Sequence, residues 1–181
     1  MNGVKEMVDL GYDTRELEND FCDKKTRVIV EFIRMIGLTI ETCKLDEDTF
    51  LPGIKVDGQM LLVDESRLKY PGDLLHEAGH LAVTAADKRH TLKENVLGSA
   101  GAELASIAWS YAAALHLGLD PSLVFHDGGY KGWSKTILDN FSKGRYFGVP
   151  LLDWFGLTAD PNQARNKNVE PFPHMLKWLR D

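Results

Sequence analysis

The stretch Leu74-Leu75-His76-Glu77-Ala78-Gly79-His80-Leu81 decides how this chain is read. It contains the pattern H-E-x-x-H within a run of helical spacing, in which Leu74, Ala78, Leu81 and Ala85 fall on one apolar stripe. Residues four apart on a helix share a face, so the imidazoles of His76 and His80 can reach one metal ion. Glu77 projects beside that position, where a carboxylate can accept a proton from water. The spacing predicts a helix over 73–86.

Upstream, Tyr70-Pro71-Gly72-Asp73 reads as a turn followed by a helix cap at Asp73. The runs Gly53–Val56 and Gln59–Val63 flank Asp57-Gly58, a strong short-range hairpin signal. Leu38–Cys43 alternates and is β-branched, so it reads as a strand. Pro52 is expected at a strand edge, where its missing N–H does no harm. Val28, Ile29, Phe32, Ile33 and Ile36 recur at helical spacing, and Gly37 ends that helix. Asp13-Thr14-Arg15-Glu16 resembles an earlier helix start. A small antiparallel sheet is therefore expected before the motif, with strand 59–63 available to pair with an extended peptide.

Downstream, 87–97 is polar and reads as a loop. Residues 99–117 read as a second helix, ended by Gly118 and small and apolar nearly all round, hence buried. Glu103 is the one charged residue between 99 and 115. A carboxylate in such surroundings is costly to bury unless it is paired or bound to metal. A metal held by two imidazoles needs a third protein ligand, and Glu103, 23 residues past His80, is the best placed. A basic partner such as Arg34 or Lys93, and simply a place near the exposed first turn of the helix, are the other accounts of it. His90, His116 and His126 compete for the ligand role, but His116 lies thirteen residues past Glu103, too far along the same helix. Two His and one carboxylate suit Zn²⁺. Gly79, between the two His, allows either close approach of a substrate or tight helix packing.

The remaining segments are Asp120-Pro121 as a helix start, a Gly-rich turn at 126–130, helices near 133–143 and 172–180, and a segment at 150–156. Trp133, Trp154 and Trp178 supply apolar bulk there. Of the polar and aromatic groups, Tyr130, His126 and Tyr111 are the candidates to stabilise an oxyanion.

Composition narrows the classes. A chain of 181 residues, 44% hydrophobic, can bury a sizeable core and is most simply one domain. A net charge of −6 without a clustered basic face argues against nucleic acid as a partner. No run of 18 apolar residues predicts a membrane span, and the N-terminus lacks an apolar signal core. Cys22 and Cys43 make neither a disulfide framework nor a CxxC motif, so a reducing, cytoplasmic setting is expected.

The order helix, strand, hairpin, HExxH helix, loop and Glu-bearing helix resembles the gluzincin metallopeptidases. Within them, Asp64, Pro71-Gly72-Asp73 and Leu75-His76-Glu77-Ala78-Gly79-His80-Leu81 are similar to the ImmA/IrrE-type cytosolic proteins. Val83 and Ala86 stand where a metzincin carries Gly and His, so that class is excluded. The resemblance covers residues 38–117 and rests on HEAGH plus Glu103. It implies an α+β, zincin-like fold: a small antiparallel sheet packed on the HExxH helix and the Glu-bearing helix. Residues 118–181 lie outside the resemblance and are expected, from their own segments, to form a mainly helical C-terminal part of the same domain. The resemblance also implies zinc bound by His76, His80 and Glu103, Glu77 as general base, and hydrolysis of a peptide or protein substrate. A non-catalytic zincin-fold metal-binding or interaction module is the first alternative, and a structural helical protein in which HEAGH is coincidental is the second. The chain departs from the family in lacking an evident helix-turn-helix partner.

Overall fold

The computed structural model describes residues 21–46, 48–93, 99–130 and 132–181. The helix start expected at Asp13–Glu16 lies outside them. Helix α1 (Lys24–Met35) begins where the Asp23 carboxylate accepts the Thr26 N–H at 2.8 Å. It buries Ile29, Val30, Phe32 and Ile33. Strand β1 (Thr39–Thr42) follows, then the hairpin of β2 (Ile54–Asp57) and β3 (Met60–Val63).

The sheet order is β1-β3-β2. Strand β3 pairs antiparallel with β2 and parallel with β1, so the sheet is mixed, not antiparallel throughout as expected. The apolarity of β3 accounts for its central place: Leu61 and Val63 are fully buried, while Thr39, Glu41 and Thr42 leave β1 polar and exposed at an edge. The idea that strand 59–63 receives a peptide fails for the same reason, since β2 and β1 occupy both of its edges.

Among the described residues, helices α2 (Asp73–Val83) and α3 (Ala100–His116) make the most extensive helix–helix contact. α2 stops three residues before the expected end, because Thr84 turns to extended backbone and its hydroxyl bonds the His80 carbonyl at 2.7 Å. Its N-cap is Gly72; Asp73 is inside the helix and buried, not a cap. Between the two helices Ala86–Thr91 forms a 3-10 turn within the stretch read as loop. Gly79 resolves in favour of tight packing, since a Cβ there would stand 3.1 Å from the Ser106 carbonyl oxygen and 3.3 Å from the Trp109 ring. α3 buries Ala105 through Ala114, with Ser99 capping it through the Ala102 N–H.

The chain continues through a 3-10 turn (Pro121–Leu123) and short helices α4 (Asp127–Tyr130), α5 (Ser134–Ser142), α6 (Val149–Trp154) and α7 (Pro161–Lys167). α4 falls where a turn was expected. The terminal helix expected near 172–180 is absent. Pro171 and Pro173 flank Phe172 and disfavour helical backbone there. The tail instead hydrogen-bonds to other elements: Leu176 N–H to Leu157 O at 2.8 Å, and Arg180 N–H to Ala82 O at 2.9 Å. Trp178 packs edge-on to Phe32 and Trp109, and its carbonyl accepts the Trp109 indole N–H at 2.9 Å. Trp133 and Trp154 are exposed and do not supply the expected bulk. Cys22 and Cys43 are free thiols. Among the described residues, no helix is long and apolar enough to cross a membrane.

Candidate metal centre

The close contact of α2 with α3 places three donor groups together. His76 and His80 share a face of α2, with their Nε2 atoms 3.1 Å apart. Glu103, in the first turn of α3, brings Oε2 to 3.1 Å from His80 Nε2 and Oε1 to 3.7 Å from His76 Nε2. Among the described residues these three form the one group of His, Cys, Asp or Glu able to hold a metal ion, all donor atoms lying within 4.8 Å of one another. Ligand atoms about 2.1 Å from a tetrahedral ion stand about 3.4 Å apart, and the observed separations straddle that figure. The set also fits electrostatically: a cation between the three donors would take the place of the His80–Glu103 hydrogen bond that relieves their convergence in its absence.

Titration behaviour reflects that convergence. Burial lowers the His76 imidazole to about 4, with His80 adding to the fall and Glu103 opposing it. Burial also pushes His80 down, but its hydrogen bond with Glu103 and the charges of Glu77 and Glu103 outweigh burial and raise it. Glu103 is held below the usual carboxylate range, chiefly by the hydrogen bond with His80, against the opposing effect of burial.

The outer nitrogens of both rings are engaged as well. His80 Nδ1 lies 3.1 Å from Ser106 Oγ, and the Ser106 hydroxyl donates to Ala102 O at 2.9 Å. A hydroxyl has one hydrogen to give. Ser106 Oγ therefore accepts from His80 Nδ1–H, which leaves Nε2 facing Glu103 and His76: it donates to the Glu103 carboxylate while the ring is protonated and presents a lone pair when the ring is neutral. His76 Nδ1 lies 3.0 Å from the Tyr130 hydroxyl.

A second pair sits one turn earlier on α2. The Gly129 N–H donates to His126 Nδ1 at 3.1 Å, so His126 Nε2–H donates to Asp73 Oδ1 at 2.8 Å. Tyr70 stacks on the His126 ring at 3.8 Å. Burial raises the Asp73 carboxyl, and the hydrogen bond from His126 opposes it.

Glu77 follows His76 directly and stands outside the donor group, half-buried on the same helix. The competitors for the ligand role lie elsewhere. His90 is exposed on the 3-10 turn, with its backbone beside Gly58. His116 packs on Phe32 and Trp178, and His126 is spent on Asp73 and Gly129. Tyr111 is eight residues past Glu103, about 12 Å along the helix, in an aromatic cluster with Phe125, Phe141 and Phe172. It is a core residue and no oxyanion donor. His126, with both ring nitrogens occupied, is none either.

Sequence reasoning missed Ser106 and the role of Asp73. Ser106 could have been found as the polar residue three positions after Glu103, hence on its face, in an otherwise small apolar helix.

No protein-family model matches the chain, and no curated protein or solved structure matches it.

Proposed function

We propose that this chain is a zinc-dependent peptidase of gluzincin type, related in design to the ImmA/IrrE proteins. The observation that carries the reading is the convergence of His76 Nε2, His80 Nε2 and the Glu103 carboxylate across the α2–α3 contact, with Glu77 beside it. His76, His80 and Glu103 are the residues that hold the ion. A bound zinc lowers the pKa of water to about 7 and polarises a carbonyl. Glu77 is then the base of this chain: its carboxylate takes the proton of the attacking water and returns it to the departing amine. A purely metal-holding site has no use for a carboxylate at 77, which supports hydrolysis over a non-catalytic module. Two imidazoles and one carboxylate favour zinc among the divalent ions.

The test is zinc content of the purified protein, followed by cleavage of a mixed peptide library by the unaltered protein and by Glu77→Gln. Metal together with Glu77-dependent cleavage supports the proposal. Absence of bound metal removes it. Stoichiometric zinc with cleavage indifferent to Glu77→Gln would turn the reading toward the metal-binding module.

A further inference from the structure

The segment His126–Tyr130 touches α2 at two points. His126 bonds Asp73 and Tyr130 bonds His76. Asp73 and His76 are three apart on α2, and His126 and Tyr130 are four apart on the segment, so the two bonds are successive rungs between them. The lower rung is well buried: Asp73 is 5% exposed, and Tyr70 covers the His126 ring. The upper rung ends on the outer nitrogen of a candidate ligand. On the other side of the site, Ser106 occupies the matching position on His80.

We propose that Tyr130, fixed in place by the Asp73–His126 bond, is a positioning residue that holds His76 with Nε2 free for the metal, as Ser106 does for His80. The inference rests on the metal reading above and extends it. It differs from an oxyanion role for Tyr130. The phenol oxygen meets Nδ1, the ring nitrogen remote from the converging donors, so Tyr130 acts on the imidazole and not on a substrate carbonyl. With Nε2 committed to an ion, Nδ1 carries the hydrogen and Tyr130 Oη accepts it. Outer-sphere partners of this kind orient the ligand and raise its basicity, and their removal weakens metal binding by about 10–100-fold.

The experiment is competition for Zn²⁺ against a chromophoric chelator, with the visible spectrum of the Co²⁺-loaded protein as a second readout. The full chain is compared with Tyr130→Phe, Ser106→Ala, Asp73→Asn and the double variant Asp73→Asn/Tyr130→Phe. Thermal melting of each metal-free protein monitors folding. Tyr130→Phe is expected to weaken zinc by about 10–100-fold and to shift the Co²⁺ bands, while the metal-free melt stays close to that of the unaltered chain. Asp73→Asn is expected to weaken zinc severalfold in the unaltered background and to have little further effect once Tyr130 is Phe, because it acts through that hydroxyl. A folded Tyr130→Phe with unchanged zinc affinity and Co²⁺ spectrum overturns the proposal, even if peptide cleavage falls, since that pattern marks an oxyanion donor. Additive effects of Asp73→Asn and Tyr130→Phe overturn the anchoring. Failure of the unaltered chain to bind either ion removes the metal reading itself, and the proposal with it.

Discussion

Gly79 of α2 and Ser106 of α3 are in backbone contact: a Cβ on Gly79 would lie 3.1 Å from the Ser106 carbonyl oxygen and 3.4 Å from its Cα. This contact sets the distance between the two ligand-bearing helices. His80 is the next residue on one helix, and Glu103 is one turn earlier on the other. The glycine costs α2 about 1 kcal/mol of helix propensity relative to Ala, and what it provides is the reach of a carboxylate to two imidazoles. Gly79→Ala is expected to be net destabilising, because overpacking costs about 1–3 kcal/mol against that propensity gain. Zinc affinity should fall with it. Urea unfolding and zinc titration of the variant check both; a variant more stable than the parent, with unchanged affinity, would show that the contact has slack.

Glu103→Ala removes a donor and leaves His76 and His80 facing each other. Its effect on zinc should exceed the range for outer-sphere residues, a loss of more than about 100-fold. Isothermal titration at neutral pH measures it. A loss smaller than that of Tyr130→Phe would mean that Glu103 is not a ligand.

The metal-free protein should be labile to acid in a defined window. His76 is lowered from 6.5 to about 4 in the folded chain. Between those values the unfolded chain binds a proton that the folded chain refuses, so stability falls as pH drops from 6.5 toward 4. The full shift corresponds to about 3 kcal/mol. His80 has the opposite sign: its raised value adds stability that is complete below 6.5 and lost as pH rises through its folded pKa. The two windows therefore lie on either side of 6.5. Urea midpoints from pH 4 to 8 without metal, for the parent and His76→Gln, separate them; the acid slope should disappear in the variant.

Gly148 opens α6 with φ +80, and a Cβ there would fall 2.0 Å from Leu104 O, in the first turn of α3 beside Glu103. Both the backbone conformation and the space require glycine. Gly148→Ala should lower stability by at least about 1–3 kcal/mol, and it should disturb Glu103 more than His80. Loss of zinc affinity beyond that explained by the fraction unfolded would show that α6 helps seat the carboxylate. A melt equal to the parent's would refute the constraint.

The helices of the site were legible because each is written in local signals. α2 has a period, and α3 has a Ser cap, a uniformly small apolar body and a terminating Gly118. Glu103 stood out for the same reason, a charge with nothing like it nearby. What escaped depends on distant partners. The parallel β1–β3 pairing joins segments about twenty residues apart with another strand between them in sequence. Asp73 has the composition of a cap, but its side chain is claimed by His126, 53 residues on. Pro171 and Pro173 argued locally against a terminal helix, yet the spacing of apolar residues in the tail looks helical. Trp178 packs on Phe32 of α1 and Trp109 of α3, and Phe172 on Tyr111 of α3, from an irregular backbone instead, while Leu176 is exposed.

The tail has a consequence for how the site is assembled. The carboxyl end of α2 leaves carbonyls without partners in the helix. Arg89 Nε reaches Leu81 O at 3.0 Å, while the Arg180 N–H and guanidinium bond Ala82 O and Val83 O, the last across 97 positions of chain. Loops of that size close late. A folding chain can therefore bring His76, His80 and Glu103 together through the short α2–α3 connection well before the far end of α2 is tied down. Hydrogen exchange pulsed during refolding should find α3 amides near Ser106 protected early and the Arg180 amide protected in the last phase. Simultaneous protection would mean that the motif helix and its distant clasp form in one step.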